Sequence, residues 1–174
     1  MNSSNPTFQR GVTLSEIVIA LSVLIITISL AAPDFASFIQ QVRLSSAVNE
    51  LHNAIVLTRT EAVSRNDIVD LIALNNDWKN GWRISASDNQ QIMAHEALQA
   101  DFKIDARFGD GLQHVAYNGT GHSVGAHSST AAPQSGHIKL SLGAHSRIII
   151  VNFIGRTRIC NPSQDKYCDS ASSD

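Results

Sequence analysis

The sequence predicts an α+β fold, with one long N-terminal helix packed on an antiparallel β-sheet. Three observations predict it. Residues 17–32 form an uncharged apolar run. After Pro33, apolar residues recur at helical spacing as far as Ala62. Beyond Asn66 the pattern changes to short β-rich runs separated by turn residues.

The helix comes first. From Val12 to Ala32 the chain runs 21 residues with a single carboxylate, Glu16. At 1.5 Å per residue this is about 31 Å of helix, the thickness of a bilayer's hydrocarbon core. A glutamate near the start of such a span is costly, which points to function. Pro33 removes an intrahelical hydrogen bond and predicts a kink. Past it, apolar positions fall at Phe35, Phe38, Ile39, Val42, Val48, Leu51, Ile55 and Ala62, mostly at steps of three, four or their sum. That spacing predicts one amphipathic face, with Arg43, Glu50, Arg59 and Arg65 largely on the other sides. The helix is expected to end near Arg65, before Asn66-Asp67.

Strands are expected at Ile68–Leu74, Gly81–Ile84, Ile92–His95, Phe102–Ile104, Leu112–Tyr117, Ile138–Leu142 and Arg147–Phe153. Asn75-Asn76-Asp77, Ser85–Asn89, Asn118-Gly119 and Gly143-Ala144-His145 supply turns between them. Residues 119–136, rich in Gly, Ser, Ala and His, read as a flexible loop. Residues 155–174 read as a polar tail that bears both cysteines, Cys160 and Cys168.

The 174 residues hold one domain plus an anchor, and the formal net charge of -2 gives no global basic field. Any anion binding must therefore come from a local patch. His122, His127 and His137 lie in or beside the flexible loop at spacings that match no defined metal site. Asp101, Asp105 and Asp110 lack a calcium-loop pattern. No nucleophile elbow, zinc-protease motif or phosphate-binding glycine loop occurs. The expectation is a protein without metal, cofactor or enzymatic activity.

Gly11-Val12-Thr13-Leu14-Ser15-Glu16, after the basic residue Arg10, resembles the class III signal of type IV pilins and type II secretion pseudopilins, with Val12 in place of the usual Phe. The resemblance implies a type IV pilin-like fold. It also implies cleavage by a prepilin peptidase between Gly11 and Val12, N-methylation of Val12, and pairing of Glu16 with a neighbouring subunit's N-terminus during assembly. Its organisation would be a prepilin leader at 1–11, a transmembrane and filament-core half of the helix at 12–38, and an amphipathic half at 39–66. An antiparallel β domain at 67–154 and the tail at 155–174 would follow. The implied location is the inner membrane, single-pass with a periplasmic C-terminal domain, and then a pilus or pseudopilus with other major and minor pilins as partners. In an oxidising periplasm Cys160 and Cys168 are expected to form a disulfide.

Further stretches narrow the resemblance. Gln41-Val42-Arg43-Leu44, Ala47 to Leu51, Thr60 to Asn66, and Trp78-Lys79-Asn80-Gly81-Trp82 look like the FimT/GspH group of minor pilins and pseudopilins. Gly155-Arg156-Thr157-Arg158 looks like the G-R-x-R motif of FimT-type minor pilins linked to DNA uptake in natural transformation. Arginines at i and i+2 on extended backbone point the same way, and guanidinium binds phosphate bidentately. The resemblance thus implies sequence-independent contact of Gly155, Arg156 and Arg158 with double-stranded DNA, with Arg147, Lys166 and Lys139 as added positive charge. The competing expectations are that the arginines are solvated or pair with Asp165 or Asp169, and that the chain is a GspH- or FimU-like subunit that primes filament assembly in type II secretion or type IV pili without touching DNA.

Overall fold

The computed structural model describes residues 11–109, 111, 113–125, 132–165, 167 and 168, with the side chains of 30–34 left aside. The leader before Gly11, His127 and Lys166 lie outside the described residues. The chain forms two compact units, Met1–Phe38 and Ile39–Asp174.

A helix, α1 (Leu14–Arg65), contributes to both units. In the first unit Thr13 caps it, its hydroxyl accepting from the Glu16 amide at 3.3 Å. This satisfies one of the donors a helix start leaves open. Every described side chain from Gly11 to Ser29 is exposed. The hydroxyls among them turn back on the helix: Ser22 donates to Val18 O at 2.7 Å and Ser29 to Ile25 O at 2.7 Å. No helix among the described residues is long and apolar enough to cross a membrane. The apolar run ends at Ala32, so its last residues fall where side chains are not described.

The second unit is built on the rest of α1. Its buried face comprises Leu44, Ala47, Val48, Leu51, Ala54, Ile55, Thr58 and Ala62. Val48, Leu51, Ile55 and Ala62 meet the sequence expectation. Ile39 and Val42 do not, being 40% and 50% exposed. The reason is angular. Val42 and Val48 are six residues apart, which at about 100° per residue places them roughly 120° from one another around the helix. Leu44 and Ala47 occupy the buried arc instead. The helix ends at Asn66, whose φ of 51° is left-handed, a conformation asparagine tolerates and one that commonly closes a helix.

Among the described residues nine strands follow: β1 (Val69–Ala73), β2 (Trp82–Ala86), β3 (Gln91–His95), β4 (Lys103–Phe108), β5 (His114–Tyr117), β6 (Ser123–Val124), β7 (Gly136–Leu142), β8 (His145–Val151) and β9 (Thr157–Cys160). They form two antiparallel sheets where the sequence predicts one. The first has the order β3-β2-β1-β5-β6 and the second β4-β7-β8-β9. One core joins them. Leu71, Ile84 and Val115 from the first sheet, and Ile138, Leu140 and Ile149 from the second, cluster with the buried face of α1. Two sheets can share a helix stripe this wide because β7 alternates cleanly, with Gly136, Ile138, Leu140 and Leu142 inward and the residues between them half-exposed.

Trp78 and Trp82 are both buried in this core. The chain turns between them at Gly81, with φ 97°, where a Cβ would stand 2.2 Å from His95 O. Trp82 stacks on His95 at 4.1 Å, and the His95 ring approaches the Glu50 carboxylate of α1 at 3.0 Å. Arg43 of α1 reaches Asp101 at 2.9 Å and lies over the Phe102 ring at 5.7 Å. The helix is thus tied to the loop that leads into β4.

Residues 119–125 and 132–136, the described parts of the expected flexible loop, carry defined structure. The Asn118 side-chain oxygen accepts from the backbone amides of Thr120 and His122, at 3.1 and 3.0 Å. β6 then joins the first sheet, and Val124 bridges to Pro133. Two-residue strands carry too little pattern to be read from sequence.

The buried stripe of α1 sets the stability of the second unit. Leu51→Ala, at a side chain with no exposed surface, is expected to cost about 2–5 kcal/mol, measured as a lowered urea midpoint of the near-ultraviolet circular dichroism transition.

Candidate nucleic-acid interface

The first part of the expected polar tail joins the sheet. Thr157–Cys160 form β9, an edge strand paired antiparallel to β8 in the register Val151↔Thr157, Ile150↔Arg158 and Ile148↔Cys160. Residues 152–156 make the hairpin. Asn152 N donates to Arg156 O at 3.0 Å, Gly155 N to Asn152 O at 2.9 Å, and Arg156 N to the Asn152 side-chain oxygen at 2.8 Å. Gly155 has φ 85°, and a Cβ there would stand 2.1 Å from Gly121 O. Glycine at this position is required by the turn and by the close approach of another loop.

The two faces of β9 have different neighbours. The Thr157 hydroxyl meets His52 Nε2 of α1 at 2.9 Å, so this side chain faces the helix. Arg158, one residue on, faces the opposite way, as strand alternation requires, and is exposed. Arg156 is exposed as well. Burial of His52 holds its imidazole below the usual value of 6.5. Tyr117, buried near Gly155, has its hydroxyl pushed well above the usual 10.0 by desolvation, and it donates to Gly155 O at 3.4 Å.

Cys160 and Cys168 form a disulfide with a Cα–Cα distance of 5.8 Å. With Ile148 and Ile150 they make a small apolar cluster on the outer face of β8. The ring therefore packs on the sheet beside the arginines. Within the ring, Asn161 starts a turn, its side-chain oxygen accepting from Ser163 N at 3.2 Å and Ser163 Oγ at 2.8 Å. Arg158 donates to Tyr167 O at 3.5 Å and stands 3.8 Å from the Asp165 carboxylate. The ion-pair alternative is thus partly met for Arg158, through a long, half-exposed contact of the kind worth little in water. Arg147 and Arg158 line one concavity of about 400 Å³, closed by Cys160, Asn161, Gln164 and Asp165. Lys139 lies on β7 in register with Ile148. The structure brings Arg158, Arg147 and the disulfide together at one edge of the second sheet. Glu16 lies in the first unit.

Sequence reasoning missed β9 itself. Its signal is slight, since Thr-Arg-Ile-Cys is four residues long and ends at the ring.

Among the described residues a five-stranded and a four-stranded antiparallel sheet packed on an N-terminal helix give a pilin-like fold. Two crystal structures of the type IV minor pilin FimU of Pseudomonas aeruginosa share the fold. One is 22% identical with a TM-score of 0.57, covering 72% of this chain and 94% of that one. The other crystal form gives 21% identity and a TM-score of 0.54, covering 69% and 94%. No curated protein sequence matches the chain. Residues 47–155 match the family described as type II transport protein GspH, and the chain belongs to that family. The matched region stops at Gly155, so Arg156, Arg158 and the disulfide ring lie beyond it.

Two outcomes follow for this edge of the sheet. His52 is harder to protonate in the fold than in the unfolded chain. Its contribution to stability is therefore complete above the unfolded value near 6.5 and is lost as pH falls through the lower folded value. Urea midpoints should decline from pH 7.5 to 5, and His52→Gln should lessen that decline. Reduction of the disulfide is expected to lower stability by at most about 2–3 kcal/mol, since the closed loop is short; thermal melts with and without reductant measure it.

Proposed function

We propose that this chain is a minor pilin that binds double-stranded DNA through phosphate contacts and serves DNA uptake in natural transformation. The observation that supports it is the setting of Arg158. It stands exposed on an edge strand, turned away from the helix, beside a disulfide ring that restricts the local backbone. Arg156 stands two residues before it, at the exit of a hairpin fixed by Gly155. Pre-ordering of these groups lowers the entropy lost when they engage a phosphate. Guanidinium stays charged at every physiological pH and fits a phosphate with two parallel hydrogen bonds. Few cations mean few phosphates neutralised, so the arginine motif gives weak, sequence-independent binding with a shallow salt dependence, on the order of two to four phosphates. Several copies in one filament make up for affinity by multivalency.

The N-terminal unit serves delivery in this proposal. A prepilin peptidase cuts between Gly11 and Val12, and Val12 is N-methylated. The apolar side chains from Val12 to Ser29, all exposed in the isolated chain, are covered first by the inner membrane and then by other major and minor pilins. Inward-bonded Ser22, Thr27 and Ser29 hydroxyls suit both surroundings, because neither offers water to an unsatisfied donor. Glu16, in the first helical turn, pairs with a neighbour's N-terminus.

Membership of the GspH family favours a second reading, a minor pseudopilin or pilin that primes filament assembly in type II secretion or type IV pili without binding DNA. The two readings share the fold and the N-terminal unit and part at the arginines. Arg156→Ala with Arg158→Ala, in the full chain held in detergent micelles, should abolish retardation of duplex DNA in a gel. Undiminished retardation by the double variant rejects the DNA reading and leaves the assembly subunit.

A further inference from the structure

The second sheet has an outer face that the arginine motif does not exhaust. Register fixes which side chains share it. Thr157 faces α1, so Arg158 and Cys160 face outward, and their partners Ile150 and Ile148 do too. Across β8, Ile150 pairs with His137 and Ile148 with Lys139. Across β7, His137 pairs with Arg107, Lys139 with Asp105 and Ser141 with Lys103. The inward residues of β7 are buried, and Lys103, Asp105 and Arg107 of β4 are exposed. One face thus carries Lys103, Arg107, Lys139 and Arg158, with His137 between them.

Its charge is opposite to that of the whole chain, which is -2. Among the described residues two carboxylates accompany these four cations, Asp105 at 3.3 Å from Arg107 and Asp165 of the ring at 3.8 Å from Arg158. The face has two cationic strips. Arg158 stands on the β9 edge, and Lys103, Arg107 and Lys139 stand on β4 and β7. Between them the disulfide ring packs on Ile148 and Ile150. From β9 to β4 there are three strand spacings, about 14 Å. That is close to the width of the major groove of B-form DNA, about 12 Å. Cations separated by this distance reach phosphates on both sides of a groove, which a single cluster at the sheet edge does not.

We infer that the duplex-binding surface is the whole outer face of the second sheet, with Lys103, Arg107 and Lys139 forming a second phosphate-contacting strip opposite Arg156 and Arg158. The inference rests on the DNA-binding reading proposed above and deepens it. The ligand is the phosphate backbone of duplex DNA. The strip adds affinity and fixes the orientation of the duplex across the strands; it carries no sequence preference, because lysine and arginine on phosphate do not read base edges.

The test measures binding of a fluorescently labelled, mixed-sequence duplex to the full chain in detergent micelles across a salt series. Each lost phosphate contact lowers the slope of log affinity against log salt by about 1. The triple variant Lys103→Ala, Arg107→Ala, Lys139→Ala should lose about 2–3 from that slope and bind at least about tenfold more weakly at low salt. Arg83→Ala, at an exposed arginine on β2 of the other sheet, serves as the control for net charge and should bind as the parent does. Circular dichroism confirms that each variant keeps its fold. A triple variant with the parental slope and affinity overturns the second strip, while loss of binding in Arg156→Ala, Arg158→Ala keeps the DNA-binding reading. An equal loss in Arg83→Ala overturns the assignment to this face, since the effect is then one of overall charge. If parent, triple and double variants all bind alike, both the strip and the motif are rejected.

Discussion

The structure depends on one stripe of the helix being shared by two sheets. Leu44, Leu51, Ile55 and Ala62 are the floor on which strands from both halves of the chain close. Neither sheet has a second layer of its own within the described residues. Each buries one face against α1 and against inward residues of the other sheet; the outer face of the second sheet carries exposed Lys103, Asp105, Arg107 and Arg158 around the apolar cluster that the disulfide ring covers. That constraint explains why inward and outward positions are so sharply divided on β7. It also explains why the chemistry of the second sheet is gathered on one side. Residues that cannot enter the shared core must lie outside it, and on β4, β7 and β9 those residues include the cations Lys103, Arg107, Lys139 and Arg158.

Local ties refine this layout without replacing it. Glu50, His95 and Trp82 form a sequence of contacts from helix to β3 to β2. Arg43 holds the approach to β4. His52 fixes the start of β9. All three links begin on α1, at Arg43, Glu50 and His52, on positions flanking the buried stripe. They align the sheets along the helix, a role that non-directional apolar packing serves poorly.

Much of this was legible in the sequence. The helix end at Asn66, the strands around Trp82, the turn at Asn118 and the hairpin at Gly143 follow from period and turn chemistry, and the structure places them within a few residues. Three features were not legible. The division into two sheets depends on long-range pairing of β1 with β5, which no local pattern encodes. The exposure of Val42 followed from helical angle, and a step of six residues concealed it. β6 and β9 are too short for a period of two to show. Of the candidate interface, the residue types and the cysteine pair were evident. The direction in which Arg158 points became evident only when Thr157 was found against His52. The cations of β4 and β7 had no motif to mark them, because register alone brings them onto one face.

The same β9 has another side to consider. As the last strand of its sheet it turns a row of backbone N–H and C=O groups outward, an invitation to any passing strand. Three things blunt it. The strand is only four residues long. A guanidinium sits in its middle at Arg158. Directly after Cys160 the covalent ring turns the chain back over β8, so an incoming strand finds no straight edge to extend. The disulfide therefore guards against self-association as well as stiffening the end of the chain. A reduced chain would be exposed to misassembly at its sheet edge even where its core remained intact.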